Sequence, residues 1–589
     1  MACVTRFRVA VTAALIGMAA FQIHRVCATY DFLNYDDGRV LVDHPELYNQ
    51  ATLGQSLKAI GVTYFPREEP LLLRDLSWAV DSRIFGFGNP HGFHAVNVLW
   101  HAAVMALFFL FVLQLTRRYG VALLAAGLAL PLAIHVEPVA WIMGRKDLMV
   151  TAFGLLMLIA VARMLDSPTR RRQLVYYVAS LLLLGLALVS KISAIVLPLV
   201  AMLLALLHNH LRGKQAPAAP LRATDAVRAV LLFLPHLALS FAVYRWYRHI
   251  LTAYGLLDRG YTAGPLQHLG TLAVLNPLVL LRYLHNLLAP PAMRLFYTWP
   301  SLNTPLTGWH TLLSLLVILT LLIGIVGLYR RRKDLLFYLL AGMVLMVPYL
   351  NIVYIGIWMA NRYIYFASLF LLVALATLVM EGMTRQPTRV RVGLVLLLAG
   401  FIILNGTRQF AYRPHWRNNA QLWSYEMTRP NPDPEAFIRL ASHAYTQGIR
   451  ATDPTERARH FATVSATRAA ACARFTPDQT YRLLFLEALM RIVRQEPAAD
   501  RRAALEAVAA INPTFDAVLW QLTVFYYTEA LKQEDPEARD AMARRALDSY
   551  RRYSEQTPHD AAFLQRDASI RREFLTDMPF LKDAIEALP

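Results

Sequence analysis

Cysteine is nearly missing from this chain, with 3 in 589 residues, at Cys3, Cys27 and Cys472. So few thiols build no disulfide framework, and a Cys27–Cys472 bridge is not expected. Cys3 does not stand in a lipoprotein-like sequence. Also absent are a Walker loop, a G-x-S-x-G elbow, a Cys-x-x-Cys pair and a Rossmann fingerprint, which argues against soluble nucleotide chemistry. Negative charge is scarce, with 40 Asp and Glu against 59 Lys and Arg, and all charged residues make up only 17%. The resulting +19 net charge would suit a nucleic-acid partner. The basic residues, however, cluster in short loops between apolar runs, where the positive-inside rule places them. No nucleic acid is expected.

What the chain has in excess is apolar residues, 56% of the total. Runs long enough to cross a bilayer core recur up to residue 406. The first run has no A-x-A cleavage site behind it and more runs after it, so it is a retained span rather than a signal peptide. Eleven spans are expected, at about 8–26, 93–115, 119–136, 147–164, 174–190, 192–208, 228–246, 308–328, 335–351, 362–381 and 389–406. With the N-terminus in the cytoplasm, this count puts every basic cluster on the cytoplasmic side. Those clusters are Arg117-Arg118, Arg163 with Arg170-Arg171-Arg172, Arg212 with Lys214, Arg330 to Lys333, and Arg385, Arg389 and Arg391. Stretch 269–289 would break this order if it crossed. It also carries Asn276-Pro277, Arg282, His285 and Asn286, which hydrocarbon tolerates poorly. It is expected as an interfacial or re-entrant helix within a long outer loop, 247–307. The other outer segments are 27–92, 137–146, 352–361 and everything after 406. The membrane is therefore a partner, and the inner membrane of a bacterium the expected location.

At about residue 407 the composition shifts. Apolar and charged residues alternate at helical spacing, as in AFIRLASHAYTQG and ARRALDSYRRYSEQTP. Breaks at Asn431-Pro432, Asp453-Pro454, Asn512-Pro513 and Thr557-Pro558 separate helix pairs. The fold class is all-α, with a polytopic membrane domain at 1–406 and a helical domain at 407–589. The small inward residues and closing prolines of the second resemble tetratricopeptide repeats, although the 34-residue period is poorly kept. Such arrays offer concave surfaces to other polypeptides.

Just past the first span lies DFLNYDDGRVLVDH, with the carboxylates Asp36 and Asp37 adjacent. A carboxylate can take the proton of an attacking hydroxyl, and an apolar bilayer edge would raise its pKa to suit. Aspartates also begin turns and cap helices. In HGFHAVNVLWHA, His94, Asn97 and His101 share one helix face. His94 and His101 stand roughly 10 Å apart along the axis, too far to share a metal ion unaided, so anchoring the acidic loop is the favoured role and substrate contact the alternative. IHVEPVAWIMGRKDLM offers His135, Glu137, Arg145, Lys146 and Asp147. Cations here would neutralise a phosphate leaving group, unless Arg145–Asp147 and Glu137–Lys146 simply pair. Lys191, Arg282, His285, Arg294, Tyr297 and Arg362 are further phosphate candidates, Arg362 because its planar fork donates two bonds. An activated sugar outside the cell, where nucleotide sugars are scarce, would have to arrive on a carrier such as a polyprenyl phosphate.

Five segments taken together resemble the transmembrane and tetratricopeptide-repeat O-mannosyltransferase family of the GT-C glycosyltransferase superfamily. They are FLNYDDGRVLVDHPEL, LSWAVDSRIFGFGNPHGFHAVNVLWHA, IHVEPVAWIMGRKDLM, ANRYIYFAS and RPHWRNNAQLWSYEMTRPNP. The resemblance implies an inverting, metal-independent glycosyltransferase that uses a lipid-phosphate sugar and no cofactor. It maps the acidic pair onto Asp36-Asp37, the histidine and glutamate of the second outer loop onto His135 and Glu137, a Gly-Arg-x-Asp motif onto Arg145 and Asp147, and the late arginine onto Arg362. Two positions depart from the family pattern. Asn361 stands where a glutamate is usual, and the family's Arg-Pro has only Glu69-Pro70 as its nearest match, which leaves mannose as the sugar open. The acceptor expected is a hydroxyl of an extracytoplasmic protein recruited by the repeats. The rival readings are an oligosaccharide ligase or cell-envelope glycan transferase, and a non-enzymatic membrane scaffold.

Overall fold

The computed structural model describes residues 2–62, 70–211, 221–253, 265–299, 306–352, 357–556, 567, 570–574 and 576–577. Glu69, Arg212, Lys214 and the Thr557-Pro558 break fall outside them, as do parts of the outer segments 247–307 and 352–361. The described residues form α-helices and short 3-10 or π turns, with no strand among them. The chain divides into two compact units, Met1–Asn431 and Pro432–Pro589. The division falls later than the expected boundary at 406. Residues just past that point are packed into the first unit, where Trp416 and Trp423 are fully buried and the Asp31 N–H donates to the Arg417 carbonyl (2.9 Å).

The first unit contains α1 (Ala2–His24), α2 (Leu72–Phe85), α3 (Pro90–Thr116), α4 (Tyr119–Ala129), α5 (Arg145–Asp166), α6 (Arg170–Ser190) and α7 (Leu197–Leu211). It continues with α8 (Ala223–Ala253), α9 (Pro265–Leu288), α10 (Gly308–Arg331), α11 (Lys333–Met346), α12 (Tyr365–Arg385), α13 (Thr388–Tyr412) and the short α14 (Asn419–Met427). Among the described residues ten helical stretches are long and apolar enough to cross a membrane, or eleven if a bent pair, Tyr119–Ala129 with Ala133–Ala140, counts as one span. The protein is therefore a multi-pass integral membrane protein.

Three details differ from the expected spans. The stretch His268–Leu288 meets the length and apolarity needed to cross. In contrast, α11 has only 14 residues. The span expected at 119–136 is a short helix followed by a 66° bend. Pro131 contributes to that bend, since it has no N–H to donate and its ring crowds the preceding turn; Leu130 keeps helical angles (φ −58°, ψ −45°) and the chain turns extended at Leu132 (φ −63°, ψ 119°).

The two ends of the bundle differ chemically. At one end Asp166 meets Arg117 (3.4 Å) and His208 (3.0 Å), and Glu381 meets Arg118 (3.3 Å) and Arg332 (2.8 Å). These residues close the termini of α3, α5, α7 and α12. The opposite ends of the same helices carry His94, Arg145, Asp147, Lys191 and Arg362. Helix α9 makes its polar contacts along this second end. His268 bonds the Asn351 carbonyl (3.0 Å), Asn276 donates to that of Leu350 (2.9 Å), Tyr283 to that of Ala360 (3.0 Å), and Asn405 to that of Leu287 (3.3 Å). Between apolar helices in lipid, close packing and polar ties hold the bundle more than the hydrophobic effect does. The alanines Ala122, Ala125, Ala126 and Ala129 give α4 that close approach, and all are buried.

The second unit stacks α15 (Pro434–Arg450), α16 (Pro454–Cys472), α17 (Pro477–Val493), α18 (Ala498–Ile511), α19 (Asp516–Lys532) and α20 (Pro536–Gln556). The prolines at the starts of α15, α16 and α17 follow an oxygen-bearing cap: Asp433, Asp453 and Thr476 each accept an N–H of the first turn, replacing a partner the helix cannot supply. Leu505, Val518, Leu522, Ala546 and Tyr550 form its apolar core, each large side chain contributing about 1.5–3 kcal/mol on burial. Cys27 and Cys472 are both free thiols.

Candidate functional site

The site is built around residues 130–144, which follow the bend at Pro131. From Leu132 to Gly144 every residue is buried. Irregular backbone of this kind is tolerated at membrane depth only when protein encloses it. Gly144 makes the fold-back possible, because a Cβ there would lie 2.4 Å from the Pro138 carbonyl oxygen. The turn delivers Glu137 on one limb and Arg145 and Asp147 on the other.

Two ion pairs occupy this floor. The Arg362 guanidinium donates to the Glu137 carboxylate, both groups buried. It also lies over the rings of Trp141 (5.0 Å) and Tyr363 (4.9 Å). Lys191 Nζ donates to Asp147 Oδ1 (2.6 Å) and faces the rings of Tyr349 (4.9 Å) and Tyr363 (5.5 Å), which stack on each other at 4.4 Å. Beside them lies a small hollow with Asp147, Arg362 and Tyr363 on its polar side and Leu197, Leu345 and Phe366 on its apolar side.

The acidic loop closes over this floor through aromatic contacts. Tyr35 is buried and packs against Trp141 (4.9 Å), the ring over which Arg362 also lies. The adjacent aspartates differ in environment. Asp36 is partly exposed and accepts from Arg39 (2.9 Å). Asp37 is fully buried, and its Oδ2 accepts the Leu33 N–H (2.9 Å) while its Oδ1 has no hydrogen-bond partner among the described residues. Burial pushes the Asp37 carboxyl up to about 8, with the Leu33 N–H opposing the rise and the negative charge of Asp36 adding to it. A π turn, Gly38–Val42, follows directly, a deformation frequent at functional positions.

Arg145 does not join this cluster. It forms an ion pair with Asp81 and donates to Asn97 Oδ1 (2.7 Å), Ser77 Oγ (3.1 Å) and the Phe93 carbonyl (2.7 Å). Expected from sequence among the phosphate ligands, it instead ties α5 to α2 and α3. The pairings weighed within the motif, Arg145–Asp147 and Glu137–Lys146, are replaced by long-range ones to Asp81, Lys191 and Arg362. Lys146 is half-buried beside them. His94 contacts the Asp31 carbonyl (3.2 Å), at the start of the acidic loop. His101 bonds the Tyr365 hydroxyl (2.7 Å), and His135 bonds Ser368 (3.2 Å) and packs on the Tyr365 ring (4.6 Å). Both are buried, with their rings 5.8 Å apart.

Tyr297 donates to Asn361 Oδ1 (2.8 Å), so it reaches the residue next to Arg362. Burial raises its hydroxyl above the ordinary phenol range. Arg282 lies against the Tyr297 ring (5.9 Å), is half-buried, and forms no ion pair among the described residues. Among the described residues no group of three or more His, Cys, Asp or Glu side chains is arranged to hold a metal ion.

Several participants do not stand out in the sequence: Asp81, Trp141, Tyr349 and Tyr363. An aspartate inside the apolar helix LSWAVDSRIF signals a buried cation partner, and this was the available clue to Asp81.

No known protein family matches the sequence, and no curated protein does. A solved structure to which the chain is distantly similar is that of the Archaeoglobus fulgidus oligosaccharyltransferase in the apo form, at 12% identity and a TM-score of 0.40, covering 73% of this chain. The chain spans 59% of the length of that structure.

Proposed function

We propose that this chain is a GT-C-type glycosyltransferase that moves a sugar from a polyprenyl phosphate to a hydroxyl of an extracytoplasmic acceptor. The observation that carries the reading is one site end holding four features together. These are an acidic pair on a loop, two cations bedded on aromatic rings, a hollow that is polar on one side and apolar on the other, and a membrane-spanning scaffold. A phosphate-headed lipid needs this combination, and a soluble donor would not. The opposite end bears the basic clusters, which supports an extracytoplasmic site end.

In this mechanism Asp36, the carboxylate that reaches open space, takes the proton from the acceptor hydroxyl. The hydroxyl oxygen attacks the anomeric carbon as the bond from that carbon to the phosphate oxygen breaks, inverting the centre. The lipid phosphate leaves with the extra negative charge. Arg362, Lys191 and Arg282 stabilise that charge, where preorganised cations act most strongly. Asp37, neutral below its raised pKa, supports the loop. Arg145 serves as a tie. Helix α9 lies along the outer rim and presents Arg282, as its run of contacts to one end of the bundle supports. The helical stack after Asn431 recruits a protein acceptor in the manner of tetratricopeptide repeats.

The test is intact-mass comparison of envelope proteins from cells with and without the gene. A mass difference of one hexose or pentose supports the reading. Loss of a long glycan instead would move the assignment to an oligosaccharide ligase. Full transfer by a chain carrying both Asp36→Asn and Asp37→Asn would remove the mechanism.

A further inference from the structure

The motif RPHWRNNAQLWSYEM plays no part in the chemistry above, yet it touches both halves of the site. We propose that residues 417–427 are a clasp that sets the acidic loop against the Arg362 region, with Trp423 and Glu426 as its positioning residues. This rests on the reading that those two regions act together on one substrate pair.

One grip of the clasp holds the acidic loop. The Asp31 N–H donates to the Arg417 carbonyl (2.9 Å), and the Asn34 N–H to Asn419 Oδ1 (2.7 Å). Trp423 Nε1 donates to Asn34 Oδ1 (2.6 Å). The second grip holds residues 293–297. Glu426 Oε1 accepts the Leu295 N–H (2.8 Å), its Oε2 lies 3.5 Å from the Phe296 nitrogen, and the Tyr425 hydroxyl donates to the Met293 carbonyl (2.5 Å). Asn419, Trp423 and Glu426 are spaced four and three residues apart, so one face of α14 carries both grips.

The two held segments also meet each other. Phe296 stacks on Trp423 at 17° between planes, and Tyr35 sits edge-on to both rings at 5.8 Å. From the second grip the path to Arg362 is short. Asn361 donates to the Arg294 carbonyl (3.1 Å) and accepts from Tyr297 (2.8 Å), and Arg362 is the next residue. The clasp thus controls the separation of the acidic pair and the guanidinium.

Glu426 is only 1% exposed. A residue that merely filled this space would be apolar, since burying a carboxylate is unfavourable unless its oxygens are used. Both oxygens here face backbone N–H groups of a loop about 130 residues away in sequence.

The test uses the full chain in lipid nanodiscs, read by hydrogen exchange and by transfer kinetics. Glu426→Gln weakens the second grip, because one amide nitrogen would face an N–H. Trp423→Phe removes the donor to Asn34 while keeping the ring stack, and so gives a milder variant. Each is expected to raise exchange several-fold in both held segments, at Asp31 and Asn34 as well as at Leu295 and Phe296, with no change near Asp166 and His208. Each should also lower kcat by between about tenfold and about 100-fold, while the KM for the carrier changes little. Faster exchange only in the segment directly released would overturn the clasp, and coupled exchange with an unchanged kcat would overturn the positioning role. The exchange arm needs no reaction. A chain without transferase activity would sink the previous reading and leave the clasp to be decided by exchange alone.

Discussion

Arg362 and Glu137, 225 residues apart in sequence, form a buried ion pair at the floor of the site. Removing one partner of such a pair strands a charge, at about 3–5 kcal/mol. Glu137→Gln is therefore expected to lower the melting temperature in nanodiscs markedly. Arg362→Lys keeps the charge but loses the planar fork that lies over Trp141 and Tyr363. It should fold and bind the carrier at least about tenfold more weakly, a loss of about 1.4 kcal/mol. Unchanged carrier binding in that variant would remove Arg362 from the phosphate site.

The adjacent aspartates should separate under substitution. Asp36→Asn removes the proton acceptor, at about 100-fold or more in kcat. Asp37→Asn resembles the neutral form that Asp37 already holds at pH 7, and its cost should be less than about tenfold. Steady-state transfer rates decide, and the reverse order would make Asp37 the base.

Stability should depend on pH through Asp37. Its carboxyl is raised from the ordinary range to about 8 by burial. Between about pH 4 and pH 8 the folded chain therefore binds more protons here than the unfolded chain, and stability falls as pH rises across that window. Melting temperatures of the parent should decline between about pH 5 and pH 8 more than those of Asp37→Asn, which cannot ionise. Parallel curves for the two proteins would contradict the burial argument.

Arg282 and Arg145 should behave oppositely. Arg145→Met leaves Asp81 buried and unpaired and is expected to destabilise by about 3 kcal/mol or more. Arg282→Gln breaks no ion pair among the described residues and gives up only the Tyr297 ring contact, so its melting temperature should stay close to the parent's while the KM for the carrier rises. Thermal melts combined with donor titrations would show whether the two effects separate.

Much of the architecture was legible in the sequence because it follows from local composition. Apolar run length gives the crossing helices, and the change of pattern near residue 407 gives the helical stack. Asp36, Glu137, Lys191 and Arg362 stand out because a charge beside an apolar run is unusual in itself. What could not be read was pairing. Whether Arg145 meets Asp147 or Asp81 depends on how α2 packs on α5, and neither helix encodes that alone. Nor does spacing within α14 reveal that Trp423 and Glu426 hold separate loops, because both partners lie more than 100 residues away. The break at Pro131 was hidden in an apolar run that satisfies a hydropathy window whether it is straight or bent.

That break bears on how the chain is made. With 11 residues, α4 rises about 17 Å, roughly half the hydrocarbon thickness. The Ala133 N–H is held by Asn405, and the carbonyls of Leu130, Leu132, Trp141 and Ile142 by Gln409 and Asn97 of other helices, so this segment has no stable resting state alone in lipid. Its entry into the bilayer belongs to the late assembly of already inserted helices and not to their one-by-one release from the translocon. Biogenesis of the protein therefore hinges on the walls being in place before the floor is laid.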